Sequence, residues 1–354
     1  MRILIVDSCY PAFLDAHYAR APTLESRPYD EQWRSLMGAF FGTSDAYSHF
    51  LGKLGHIAEE VVVNCTALQS AWWREHARQP EAATNETILL LQARALEPDV
   101  VYVQNLHLLA DETLTELRRI SGFVVGQIAS AAPAAERLRR FDLILTSFPH
   151  FVDEFRRQGL RSEYFRIGFD PRVLEALGPP PPPARDVVFV GALNAIRHRS
   201  GNRALVRAAH HLPIEFWGYD LRGRPPWSPI KRRYRGEAWG LEMYAVLRSS
   251  RIVLNRHIAE AGQYANNMRL YEATGVGSLL LTDAKVNLPE LFTLDREVIA
   301  YENADDLVEK ARYLLAHEDE RAAIASAGQS RTLRDHTYAV RMAELVEILE
   351  RNRP

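Results

Sequence analysis

The sequence predicts an α/β protein built from two doubly wound domains, each a mostly parallel sheet covered by helices. Three observations lead there. Short runs rich in Val, Ile and Leu alternate with helical patterns along the whole chain. Its 354 residues are about two domains' worth. Five consecutive prolines, Pro179–Pro183, interrupt the alternation midway, and it restarts directly after them.

In the first half, Arg2–Asp7, Glu59–Asn64, Asp99–Val103, Gly122–Gln127 and Asp142–Thr146 read as buried strands. Each is short, β-branched and bounded by polar or turn residues. Ser44–Leu54, Glu86–Leu96 and Pro149–Gln158 read as helices, the last stopped by Gly159. Asp7–Thr43 reads as a long aromatic-rich loop. In the second half the expected strands are Asp186–Val190, Ile214–Trp217, Arg251–Asn255, Ser278–Thr282 and Glu297–Ala300. The expected helices are Asn202–His211, Glu237–Ser249, Asn266–Thr274 and Ala304–Leu315, and the tail Ala322–Arg351 reads as entirely helical. The boundaries are a first domain over 1–178, a proline-rich linker over 179–185 and a second domain from 186. Ligands of such sheets bind beyond the carboxyl ends of the strands, so the cleft between two facing domains is the expected site.

Composition narrows the function. Lys+Arg number 43 and Asp+Glu 45, a net charge of -2, which argues against a general nucleic-acid binder. No apolar run reaches the roughly 20 residues of a membrane helix, and the start lacks a signal-peptide pattern. The two cysteines, Cys9 and Cys65, make neither a disulfide framework nor a metal-ligand spacing, so a cytoplasmic setting is the expectation.

The richest segment is Gln263–Asp283, QYANNMRLYEATGVGSLLLTD. Asn266, Asn267, Arg269 and Glu272 cluster at a helix start. Free N–H groups and a partial positive charge there suit a diphosphate. Arg269 and Glu272, three apart, share a face, and the same spacing describes a surface ion pair. Val190–Arg203 places Gly191 at a strand end before Arg197 and Arg199, which suits phosphate contact or an exposed basic loop. Asn255 follows another strand and serves equally as a site residue or a loop cap. A basic loop holds Arg222, Arg224, Lys231, Arg232, Arg233 and Arg235, and reads as a solvated loop, a face for an anionic acceptor or membrane, or a nucleic-acid contact.

The run NNMRLYEATGVGSLLLTD, followed by NLPELF, Glu297, ENADDLVEKARYLL and DHTY with Arg341, resembles the CgeB-like group of glycosyltransferases, within the GT-B superfamily. The resemblance covers about the last 120 residues. It implies two Rossmann-like domains facing a central cleft: a nucleotide-sugar domain over 186–335, an acceptor domain over 1–178, and a C-terminal helix, 336–354, returning to the first. It implies hexosyl transfer from a nucleotide diphosphate sugar, without a metal or a separate cofactor. Glu272 then takes the nucleoside ribose, Asn266, Asn267 and Arg269 lie near the sugar or diphosphate, Gly191 with Arg197 and Arg199 near the phosphates, and Tyr234 beside the base. Many retaining members have a second Glu eight residues before the ribose-binding one; here that position is Tyr264.

A base for the acceptor hydroxyl should come from the first domain. Asp7, at the end of the first strand, and His107, after the third, are the leading candidates; His17 and the pair Asp45 and His49 stand behind them. The aromatic segment after Asp7 suits stacking on acceptor rings or forms a satellite apolar cluster. The acceptor is a glycan, a lipid-linked intermediate, a protein or a small molecule, with peripheral membrane contact compatible. The rival readings are a nucleotide-sugar epimerase of the same fold and a non-catalytic GT-B-like binding protein.

Overall fold

The computed structural model describes residues 1–77, 83–195 and 199–353. They form two compact units, Met1–Arg166 with Tyr338–Pro354, and Ile167–Thr337.

The first unit holds six parallel strands among its described residues: β1 (Arg2–Asp7), β2 (Ile57–Val62), β3 (Val100–Val103), β4 (Val124–Ile128), β5 (Leu143–Thr146) and β6 (Ser162–Tyr164). Their spatial order is β2-β1-β3-β4-β5-β6. Ile3–Val6, Val100–Val103 and Leu143–Leu145 are almost wholly buried. Strands buried on both faces lose the alternating pattern and read as continuous apolar runs, which is why they were legible. The helices are α1 (Pro11–Arg20), α2 (Tyr29–Met37), α3 (Ala46–Lys53), α4 (Thr66–His76), α5 (Asn85–Leu96), α6 (Asp111–Ser121), α7 (Ala135–Leu138) and α8 (Pro149–Arg157).

The second unit holds α9 (Arg172–Leu177), β7 (Arg185–Val190), α10 (Arg199–His211), β8 (Ile214–Trp217), α11 (Pro229–Arg232), β9 (Tyr234–Gly236), α12 (Leu241–Arg248) and β10 (Ser250–Leu254). It continues through α13 (Met268–Gly275), β11 (Leu279–Asp283), α14 (Leu288–Leu291), β12 (Ile299–Tyr301), α15 (Ala304–Ala316) and α16 (Glu318–Asp335). Its strand order is β12-β11-β10-β7-β8-β9, again parallel. The last helix, α17 (Tyr338–Asn352), belongs to the first unit, where it packs on α3.

The two orders place the reversals of winding. In the first unit the chain moves outward in both directions from between β1 and β3; in the second, from between β7 and β10. The second is the dinucleotide-binding order and the first resembles the flavodoxin order. In both, the crevice at the reversal is where such sheets take ligands.

The structure corrects two expectations. The units exchange at Arg166/Ile167 rather than at the prolines. Phe169 donates its N–H to His336 O, Arg248 holds the Gly178 carbonyl, and the amides of Ala184 and Arg185 both donate to Ser249 O, so residues around the proline run are tied into the second unit. The Asp7–Thr43 segment contains α1 and α2 rather than an open loop. The helical tail divides into α16 and α17 near 336, the expected start of the C-terminal helix, and there buried His336 turns its ring to Leu291 O between Tyr271 and Phe292.

One buried carboxyl has a consequence for stability. Glu60, on β2 and 3% exposed, accepts hydrogen bonds from the backbone N–H and hydroxyl of Ser48. Burial pushes its pKa up to about 8, against those two bonds. Its contribution is complete below the unfolded-state value and is lost as pH rises through about 8. Glu60→Gln should therefore flatten the fall in Tm between pH 6 and 9. Parallel Tm curves for the two proteins would rule this out.

Candidate functional site

The second unit's site is built at its reversal of winding. After β7 the backbone runs beside the segment following β8: Gly191 N–H donates to Trp217 O, Leu193 to Tyr219 O and Ala195 to Arg222 O. Two guanidinium groups hold this loop. Arg224 Nε donates to Leu193 O at 2.7 Å, and Arg256 Nη2 to Ala192 O at 3.1 Å. Asn194 is tied to Asp220, which also takes the fork of Arg222. That fork holds the Asp220 carboxyl below the usual range.

Gly191 has room for more than hydrogen: a Cβ there would only touch the Phe189 ring at 3.4 Å. The obligatory glycine is Gly218, with φ at +132°. A Cβ there would lie 2.0 Å from Gly191 O. Tyr234 donates its hydroxyl to Gly218 O at 2.8 Å, so its ring props the same crossing. Arg197 lies outside the described residues; Arg199 begins α10, and its side chain also lies outside them.

Across the reversal, Asn255 at the end of β10 and Asn267, the residue before α13, exchange amide hydrogen bonds at 3.3 and 2.9 Å. Asn255 also donates to Thr282 Oγ1, and its carbonyl accepts from the Tyr301 hydroxyl. Asn266 is buried and accepts from Tyr271. Asn255 and Asn267 thus staple the start of α13 to the carboxyl ends of β10, β11 and β12, and the loop-cap reading of Asn255 describes its contacts.

Arg269 and Glu272 meet as the spacing required. Arg269 Nη1 lies 2.9 Å from Glu272 Oε2, and both side chains are largely buried. Burial raises the Glu272 pKa and Arg269 partly offsets it. The guanidinium also reaches Met243 Sδ at 3.3 Å, while its Nε is buried without a hydrogen-bond partner among the described residues. Its i,i+3 pair is therefore one turn inside the fold, not on the surface.

His257 is the residue whose weight the sequence understated. Its Nδ1 lies 2.7 Å from Asp283 Oδ1, and its backbone N–H donates to the same oxygen. Burial raises Asp283, but His257 and Lys285 outweigh it and hold the carboxylate below its ordinary range. Nδ1–H toward the carboxylate fixes the ring, leaving the buried Nε2 without a partner among the described residues.

The first unit has its own polar cluster at the β1/β3 reversal. Asp7 accepts from Ser8 N–H at 2.7 Å and, weakly, from the Thr43 hydroxyl at 3.5 Å. Gln104, following β3, donates to Thr43 Oγ1 at 3.1 Å. Burial pushes Asp7 up to about 6, against the bonds from Ser8 and Thr43. His107 is exposed and directs Nε2 to Ala131 O at 3.1 Å. No hydrogen bond joins it to Asp7 among the described residues.

Between α1 and the start of α4, a cavity of about 290 Å³ is lined by Pro11, Tyr18, Glu25, Asn64 and Cys65, among others. Asn64 is locked by reciprocal bonds to the Cys9 backbone at 3.0 and 2.7 Å. Phe13 stacks on Phe41 with centroids 4.1 Å apart, and Tyr10 meets Phe41 edge-on, so part of the aromatic segment forms a satellite cluster. Further cavities, of about 420 Å³ and 300 Å³, lie beside β2 and at the amino ends of β7 and β8. Among the described residues, no group of three or more His, Cys, Asp or Glu is placed to hold a metal ion.

Residues 197–347 match a family model described as glycosyl transferase-like. No curated protein matches the chain. Among solved structures, the chain is similar to Anabaena HepE in complex with UDP-glucose, at 12% identity and a TM-score of 0.59, covering 99% of this chain and 100% of that one. A glycosyltransferase from Rickettsia africae gives 12% identity and 0.58, with 99% and 98% covered. Sucrose-phosphate synthase from Thermosynechococcus elongatus gives 12% and 0.57, with the same coverage. The fold is that of the GT-B glycosyltransferases, and the Asn255–Glu272 constellation lies inside the segment that matches the glycosyl transferase-like family.

Proposed function

We propose that the protein is a glycosyltransferase that moves a hexosyl group from a nucleotide diphosphate sugar to an acceptor. The observation that carries this reading is the buried Arg269–Glu272 pair on α13, close in the chain to the β7/β10 reversal and inside the family match. Glu272 takes the two ribose hydroxyls. Arg269, the start of α13 and the Gly191 loop face the diphosphate, and Arg197 and Arg199 are assigned there from sequence. Tyr234 holds the crossing under the base. Asn255, Asn266 and Asn267 set the angle at which α13 presents its first turn. Positive side chains and backbone amides stabilise the departing diphosphate, and the transfer needs no metal.

The first unit binds the acceptor. Asp7 is the group that takes its proton: it ends β1 at the reversal, and a carboxyl raised to about 6 is still largely ionised at neutral pH while being a better base than a free one. His107 is the lesser candidate, because its Nε2 is engaged by Ala131 O. The 290 Å³ cavity between α1 and the start of α4 offers a place for part of the acceptor. Free thiols at Cys9 and Cys65 accord with a cytoplasmic setting.

The test is a thermal-shift screen against UDP, GDP, dTDP, CDP and ADP, with and without magnesium. The reading expects one nucleotide to raise Tm independently of magnesium, since a ligand of the folded state stabilises it in proportion to the logarithm of concentration over Kd. HepE's complex with UDP-glucose makes UDP the first to try.

A further inference from the structure

The basic loop between β8 and β9 carries a feature that donor binding does not use. Ser228 N–H donates to Pro225 O at 3.0 Å, closing a turn with Pro226 and Trp227 at its tip. Trp227 is 76% exposed, the most exposed large apolar side chain among the described residues. Such a ring in water costs stability, and an isolated one on a floppy loop would mean little. This one is held. Pro225 and Pro226 stiffen the turn, and Ser228, Pro229 and Ile230 immediately after it are buried. Arg233 then bolts the loop down by donating to the carbonyls of Ala209 and Leu212 at the end of α10.

The charge beside the tryptophan is equally specific. Lys231 and Arg232, four and five residues on in α11, are exposed, and neither has a carboxylate partner among the described residues. The acid of this loop, Asp220, is already taken by Arg222. Arg235 is paired with Glu215, and Arg224 and Arg233 are engaged by backbone carbonyls, which leaves Lys231 and Arg232 as the exposed cations of this loop beside Trp227.

We infer that Trp227, Lys231 and Arg232 form a docking tip for an anionic lipid bilayer. An amphipathic ring seats at the headgroup level, and each nearby cation adds about 1 kcal/mol on an anionic surface. A glycan chain would instead want a recess with converging polar groups, whereas Trp227 stands 76% exposed at the tip of a turn. No described helix is long and apolar enough to cross a membrane, so the tip would act as a reversible contact of the second unit.

The experiment is flotation of the full chain with vesicles of phosphatidylcholine alone, or with 30% phosphatidylglycerol, at about 0.1 M salt. Binding is expected only with the anionic vesicles, and should disappear at about 0.5 M salt. Lys231→Ala with Arg232→Ala should weaken it about 30-fold, the factor for two cations at about 1 kcal/mol each. Trp227→Ala should weaken it severalfold at about 0.1 M salt. All three side chains are exposed, so unchanged Tm values will confirm folding. Absence of binding by the wild type, or equal binding by wild type and variants, overturns the inference. So does salt-sensitive capture by heparin, lost in the same variants, without vesicle binding, which would assign the tip to an anionic polysaccharide.

Discussion

Asp7→Asn should lower turnover by about 10²–10³-fold while making the protein more stable at pH 7.5. The two effects have one cause. Burial raises the Asp7 carboxyl to about 6, so its ionised form at neutral pH is held against a desolvation cost. A carboxyl raised on folding contributes its stability in full below the unfolded-state value, and that contribution is lost as pH rises through about 6. Asparagine removes the charge and keeps an oxygen for Ser8 N–H and the Thr43 hydroxyl. Turnover can be read without the acceptor, as slow hydrolysis of the donor with water in its place. The wild-type rate should rise with pH through an inflection near 6, and the variant should lack that inflection. A variant that keeps the wild-type rate and inflection would remove Asp7 from the reaction and return attention to His107.

Gly218→Ala should cost about 3 kcal/mol, or roughly 10 °C in the Tm of the second unit. The methyl group would sit 2.0 Å from Gly191 O, and backbone cannot yield as a flexible side chain would. A φ of +132° adds strain for any L side chain. The displacement falls on the loop that Arg224 and Arg256 hold, so nucleotide affinity should fall with stability. Gly191→Ala is the control. Its Cβ meets only a ring at 3.4 Å, so it should leave Tm within about 1 °C and act, if at all, on the phosphates. Equal Tm losses at the two positions would contradict this account of the loop.

What the sequence made legible follows from range. Strands buried on both faces announce themselves in five residues, and Ile214–Trp217 falls where its composition places it. The Arg269–Glu272 pair was readable because a helix turn joins residues three apart. The winding order was not, since neighbouring strands such as β7 and β10 are over sixty residues apart in sequence. For the same reason nothing local marked Asn255 and Asn267 as partners, or Gly218 as the glycine that must pass under Gly191. Helix α1 escaped notice because it buries only Phe13 and Leu14, too narrow a stripe to show a helical period. The crossing at Arg166/Ile167 is marked only by a single Gly168 and Pro171, whereas the conspicuous run of five prolines is an excursion within the second unit.

The central claim is that Glu272 holds the nucleotide. It is tested most directly by titrating the nucleotide selected in the thermal-shift screen into wild type, Glu272→Ala and Glu272→Gln by calorimetry. Two hydrogen bonds to a charged acceptor are each worth about 1.5–3 kcal/mol, so Glu272→Ala should weaken binding by about 10²–10⁴-fold, and Glu272→Gln by less. Removing the carboxylate also leaves Arg269 buried beside a neutral neighbour, so Tm is measured alongside to show that the variants are folded. Loss of affinity in folded variants is the predicted result. Wild-type affinity in folded Glu272→Ala would contradict the account and place the nucleotide elsewhere.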